Sequence, residues 1–139
     1  MTRRIIDRIF VEKDQKEKLY SEIDILEEKS RKEQFFMAMS VGFKNGVRRK
    51  LIKKDGMFLL KNLQPEDETI LNSIAISETD SVEVIADKEK VYAIAEEYAN
   101  AGIQILYDKV NSVQLGTLEK HLESEIAELY RQLDINNKE

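Results

Sequence analysis

The sequence predicts a mainly α protein of the α+β type, with about five helices, a small β-hairpin-like element and a C-terminal amphipathic helix. Three observations carry this. Among 139 residues there are 5 glycines and 1 proline, beside abundant Glu, Lys, Leu and Ile, a balance that favours helices. Apolar residues recur at steps of three and four over most of the chain. Two turn signals, Asn45-Gly46 and Asp55-Gly56, bracket a segment that breaks the helical pattern.

Residues 2–12 mix basic and apolar positions, and fit a short strand or a helical turn. Residues 14–29 read as a helix capped by Asp14, with a narrow stripe of Leu19, Ile23 and Leu26. Residues 30–42 read as a second helix. Ser30 and Glu33 have capping-box spacing, and Phe35, Phe36, Met37 and Met39 argue burial on several sides. Over 47–60 the expectation is a hairpin: a basic strand, a turn at Asp55-Gly56, then the apolar run Met57 to Leu60.

Pro65, followed by Glu66, Asp67 and Glu68, marks a helix start over 65–77. Proline lacks a hydrogen there that would be unpaired anyway, and acids suit the positive end of the helix dipole. Val82, Val84 and Ala86 alternate as a short strand would. Asp87 then caps a long helix over 87–110, with Val91, Ile94, Ala95, Tyr98, Gly102, Ile105 and Leu106 on one face. Gly102 either serves packing or marks a break, because an internal glycine costs ~1 kcal/mol against alanine. The last helix, 115–134, carries Leu115, Leu118, Leu122, Ile126, Leu129 and Leu133 at steps of 3, 4, 4, 3 and 4. Its expected place is an interface, packed on the domain, on a second copy or on a larger protein. The expected organisation is one globular domain over 1–111, then this helix over 112–139.

The net charge of −5 conceals a split. Residues 1–61 hold 16 basic against 10 acidic side chains, a net of +6; residues 62–139 hold 6 against 17, a net of −11. The basic charge concentrates in Lys44, Arg48, Arg49, Lys50, Lys53 and Lys54, with no acid among residues 44–54. Such a segment suits phosphate contacts with nucleic acid; an acidic protein partner or a plain solvated face are the competing readings.

Enzyme chemistry finds little support. With no cysteine there is no thiolate, and a single histidine, His121, excludes a multi-histidine metal site. No phosphate-binding glycine loop or nucleophile elbow occurs, and no cofactor is expected. Glu96 and Glu97 are the best acid–base candidates, but adjacent helical residues diverge by about 100° and cannot converge on one substrate. The bland role, one exposed Glu and one partly buried and paired with Arg, fits better. No apolar run approaches membrane-spanning length and no export signal is evident, so the cytoplasm is the expected compartment.

Two stretches belong together. The first runs Phe35-Phe36-Met37-Ala38-Met39-Ser40-Val41-Gly42-Phe43-Lys44-Asn45-Gly46-Val47-Arg48-Arg49; the second runs Glu96-Glu97-Tyr98-Ala99-Asn100-Ala101-Gly102-Ile103-Gln104-Ile105-Leu106. This pair resembles the fourth family of Dnd-system-associated proteins, small bacterial proteins named for their association with DNA phosphorothioation defence. The resemblance covers about residues 30–110 and leaves out the helix from Leu115. It implies a role beside anti-phage DNA modification, within a larger complex, and brings no catalytic residue with it. It also suggests that the motifs meet: Asn100 and Gly102 shape a break or tight contact, and Glu96 or Glu97 pairs with Arg48 or Arg49. Three functions follow as expectations. One is a non-enzymatic accessory that contacts DNA or a DNA-bound complex. Another is an interaction module that oligomerises or docks on a larger protein. The third is a phage-encoded inhibitor of a host defence enzyme.

Overall fold

The computed structural model describes residues 6–111, 123 and 126–133. The chain divides into two compact units, Met1–Tyr107 and Asp108–Glu139. The first is built on one long helix.

That helix is α4 (Lys88–Asn111), started by Asp87, whose carboxylate accepts from Lys90 N–H at 3.2 Å. Its run from Val91 to Ile103 is mostly buried, far more than a surface helix would bury. Against it lies α2 (Arg31–Asn45), which turns Phe35, Ala38, Met39 and Gly42 inward. The Ser30 hydroxyl accepts from Glu33 N–H at 3.2 Å and donates to its carboxylate at 3.1 Å, holding the α2 start. At the α2 end, Gly46 takes φ +65°, and Val47 N–H reaches back to Gly42 O at 3.0 Å. This left-handed glycine stop satisfies the last carbonyls and sends the chain outward. α3 (Pro65–Thr79) starts as the proline and acids predicted, with Asp67 accepting from Gln64 N–H at 2.8 Å.

The β element is real but differently paired. β1 (Arg8–Glu12) and β2 (Lys54–Leu59) form a two-stranded antiparallel sheet, from Arg8 opposite Leu59 to Glu12 opposite Lys54. Ile9, Val11 and Met57 face the core. No strand forms over 47–53, so the expected hairpin is corrected: the partner of β2 is β1, with paired residues 42 to 51 positions apart. The physical reason lies in the two turn signals. Asn45-Gly46 ends a helix, and Asp55-Gly56 sits inside the strand beside a bulge between Ile9 and Phe10.

Two other expectations change. The single helix over 14–29 is broken into α1 (Lys13–Gln15), a π-helical turn Lys16–Tyr20 and a 3-10 turn Asp24–Leu26. The wide turn brings Leu19 and Tyr20 inward together, while extended backbone at Ile23 resets the chain so that Leu26 also reaches the core. Gln34 satisfies that irregular stretch, donating to Leu26 O at 2.8 Å and Lys29 O at 3.2 Å. The expected strand over 82–86 is a 3-10 turn, Val82–Ala86. Ser81 caps it, accepting from Glu83 N–H at 3.2 Å, so the alternation of Val82 and Val84 marks one inward residue, Val84, and not a sheet face.

In the second unit residues 126–133 are helical; Ile126, Leu129 and Leu133 are about half exposed and Tyr130 about two-thirds. Leu115, Leu118 and Leu122 of the apolar seam lie outside the described residues. Among the described residues no helix is long and apolar enough to cross a membrane.

Candidate nucleic-acid interface

The crossing of α2 and α4 fixes the geometry of the site. A Cβ on Gly102 would sit 1.7 Å from Ala38 O, and one on Gly42 would sit 2.0 Å from Tyr98 O. Both positions therefore require glycine, and backbone meets backbone between the helices. α4 runs unbroken through Asn100-Ala101-Gly102, so of the two readings of Gly102, close packing is what the structure adopts. Beside the crossing, Phe43 and Tyr98 stack edge to face with ring centres 5.4 Å apart.

The two motifs meet here. Arg48 pairs with Glu97 at 3.3 Å and with Glu78 of α3 at 3.1 Å. Glu78 also accepts the Tyr98 hydroxyl hydrogen. Burial, reinforced by that hydrogen bond to a carboxylate, pushes the Tyr98 phenol up to about 12. One arginine thus joins the segment after α2 to both α3 and α4.

From this anchor the chain runs over the surface to β2, held at several backbone points. Arg49 N–H donates to Glu97 O at 3.0 Å. Asn100, 3% exposed, donates from Nδ2 to Arg49 O at 3.1 Å and Lys50 O at 3.2 Å, and its Oδ1 accepts from the Arg49 guanidinium at 3.2 Å. The amide therefore uses both donor hydrogens and its acceptor on this segment. Farther on, Glu12 accepts from Ile52 N–H at 2.8 Å and Lys53 N–H at 3.2 Å, and Lys13 N–H donates to Lys53 O at 2.8 Å. The loop is irregular in shape but held in place.

Its side chains divide into two groups. Arg48 is spent on two carboxylates, and Arg49 is partly spent on Asn100. Lys44, Lys50 and Lys53 are exposed, and Lys54 holds its ammonium 6.0 Å from the centre of the Phe10 ring. Ile52 is 87% exposed among them. In the sequence Ile52 looks like half of an apolar pair with Leu51, so no local pattern marks it as exposed. Glu12 and Glu78 carry no local signal either, because each lies far along the chain from the residue it holds.

Glu96 and Glu97 point apart, as their spacing demands. Glu96 is 5% exposed and accepts from Phe10 N–H at 2.7 Å, tying β1 to α4 beside the bulge. The cleft it shares with Arg8, Phe10, Lys54 and Tyr92 measures about 80 Å³, well below the ~300 Å³ of ordinary small-molecule sites. Among the described residues no group of three or more metal-ligating side chains comes together.

A family model matches residues 8–135, which takes in β1 and its Glu12 and reaches past the two motifs to residues 126–133. Searches of curated proteins and of solved structures find no match. Since that model spans nearly all of a chain whose two signature stretches pack into one crossing, this protein belongs to the DNA sulphur modification system-associated protein 4 family.

Proposed function

We propose that the protein is a non-enzymatic accessory of a DNA sulphur modification system that contacts DNA, or a DNA-bound complex, through its basic loop. The observation that carries this reading is the loop itself. Residues 44–54 hold six basic side chains and no acid, and the backbone of residues 49–53 is pinned by Asn100, Glu12 and the Glu97 carbonyl. A pinned loop loses little conformational entropy when it binds, so its cations act with less offset. Lys44, Lys50 and Lys53 are the main phosphate contacts in this reading, with Arg49 and Lys54 beside them. Arg48 serves as the anchor of the loop.

The test is duplex DNA binding by fluorescence anisotropy across a salt series. Replacing Lys44, Lys50 and Lys53 together by Glu is expected to weaken binding by more than about a hundredfold at low salt and to flatten the salt slope by about 3. The variant should keep its melting temperature, because all three side chains are exposed. Unchanged binding in a folded variant removes the loop from the DNA role.

The interaction-module reading keeps one observation of its own. Ile126, Leu129 and Leu133 are about half exposed on residues 126–133, so an apolar face remains available for a protein partner of the system or a second copy. Light scattering of Leu129→Glu against the parent reads self-association; a parent that is monomeric at every salt concentration removes the second copy.

A further inference from the structure

Ile52 stands out against the rest of the loop. At 87% it is more exposed than Val82 at 69% or Tyr130 at 68%. It is not there because the chain is loose: its own N–H is held by the Glu12 carboxylate at 2.8 Å, and the next N–H, of Lys53, is held by the same group at 3.2 Å. Position 52 is thus aimed outward by a fixed backbone, with Lys50 and Lys53 exposed on either side.

We infer that Ile52, flanked by Lys50 and Lys53, forms a subsite for a sulphur-substituted phosphate of the DNA backbone. The inference rests on the DNA-contact reading of the loop and names what that contact distinguishes. Replacing a non-bridging phosphate oxygen by sulphur keeps the negative charge. The sulphur is larger, more weakly hydrated and a poorer hydrogen-bond acceptor than the oxygen. A site made only of ammonium donors therefore gains nothing from it. A site that sets an apolar group between two cations keeps the charge attraction and gains a dry contact with sulphur. Against an ordinary phosphate the same apolar group strips water from an oxygen and returns no hydrogen bond. Charge complementarity thus favours a phosphodiester backbone, and the isoleucine favours the sulphur-modified linkage.

The experiment compares three duplexes of one sequence by anisotropy: unmodified, and with a single phosphorothioate linkage of each configuration at phosphorus. The parent is expected to bind one phosphorothioate configuration about tenfold more tightly than the unmodified duplex, the scale of burying one or two methylene-sized contacts. Ile52→Gln should abolish that preference and leave affinity for unmodified DNA within about twofold, since the salt-dependent lysine contacts stay in place. Thermal unfolding checks that the exposed substitution leaves the fold intact. Equal binding of all three duplexes by the parent overturns the sulphur subsite and leaves the DNA reading standing. A preference that survives in Ile52→Gln overturns the role of Ile52. Failure of the parent to bind any of the duplexes removes the DNA reading and this inference with it.

Discussion

The α2–α4 crossing and the basic loop share a stretch of chain but use their residues in opposite ways. At the crossing every distinctive group is turned inward. Gly42 and Gly102 let backbones touch, Tyr98 donates to Glu78, and Arg48 is shared between Glu78 and Glu97. In the loop the backbone is held in place while Lys50, Ile52 and Lys53 face solvent, as does Lys44 on the last turn of α2. The two stretches that carry the resemblance in the sequence are largely the ones that build the crossing. The residues suited to meeting a partner are the less distinctive lysines next to it. Asn100 belongs to both regions, since it is buried in α4 and bonded to the loop.

The largest effect should come from the crossing. Gly102→Val places side-chain atoms where Ala38 O now lies, so the helices must separate. We expect a loss of about 3 kcal/mol or more, or no folded protein at all. Chemical denaturation reads this; a variant as stable as the parent would show that the helices can slide apart freely.

Asn100→Ala comes next and links the two regions. It leaves the Arg49 and Lys50 carbonyls without their partner and should cost about 1–3 kcal/mol. It should also free the loop, so hydrogen exchange at 49–52 rises and DNA affinity falls several-fold with the salt slope unchanged. A variant that loses stability but binds DNA as before would separate the clamp from the proposed contact.

Arg48→Met sharpens the contrast further. It leaves Glu78 and Glu97 facing each other without their cation. Both are partly exposed, so the cost should be about 1 kcal/mol in the melting curve. The salt slope of DNA binding should hardly move, because Arg48 is already paired within the molecule. A slope as flat as that of the triple lysine variant would return Arg48 to the phosphate contacts.

The smallest effect is an alkaline one. Burial and donation to Glu68 push the Tyr92 phenol up to about 12, and burial and donation to Glu78 do the same at Tyr98. The folded-state values lie above the ordinary 10, so this stabilisation is complete below pH 10 and is lost as pH rises toward 12. Ultraviolet titration of the tyrosines should show ionisation near pH 12 in the folded protein. Tyr98→Phe should remove one such step and reduce the alkaline sensitivity of the melting temperature.

Much of the fold was legible locally. Ser30 and Pro65 announce α2 and α3, Asp87 announces α4, and the apolar spacing of Val91 to Ile103 marks a buried face, because caps and periodicity act within a turn or two of the chain. The basic segment was equally visible, since charge needs no partner to be counted. Less was visible at the sheet. A strand's partner is chosen by what the rest of the core leaves open, and β2 found β1 from across the chain. The 14–29 segment likewise buries Leu19, Tyr20, Ile23 and Leu26, but through a π-helical turn, extended backbone at Ile23 and a 3-10 turn in place of one helix, which the apolar spacing alone does not distinguish.

The division between the two levels is sharpest at position 48. The sequence by itself determined that a basic segment lies near the end of the second helix and that Gly102 serves either packing or a break. Only the tertiary structure decided which cation is consumed inside the molecule and which remain outside. Arg48 is claimed by carboxylates thirty and forty-nine residues away, whereas Lys44, Lys50 and Lys53 are exposed. Charge is a property of a residue, but its availability depends on what the fold brings within about 4 Å of it.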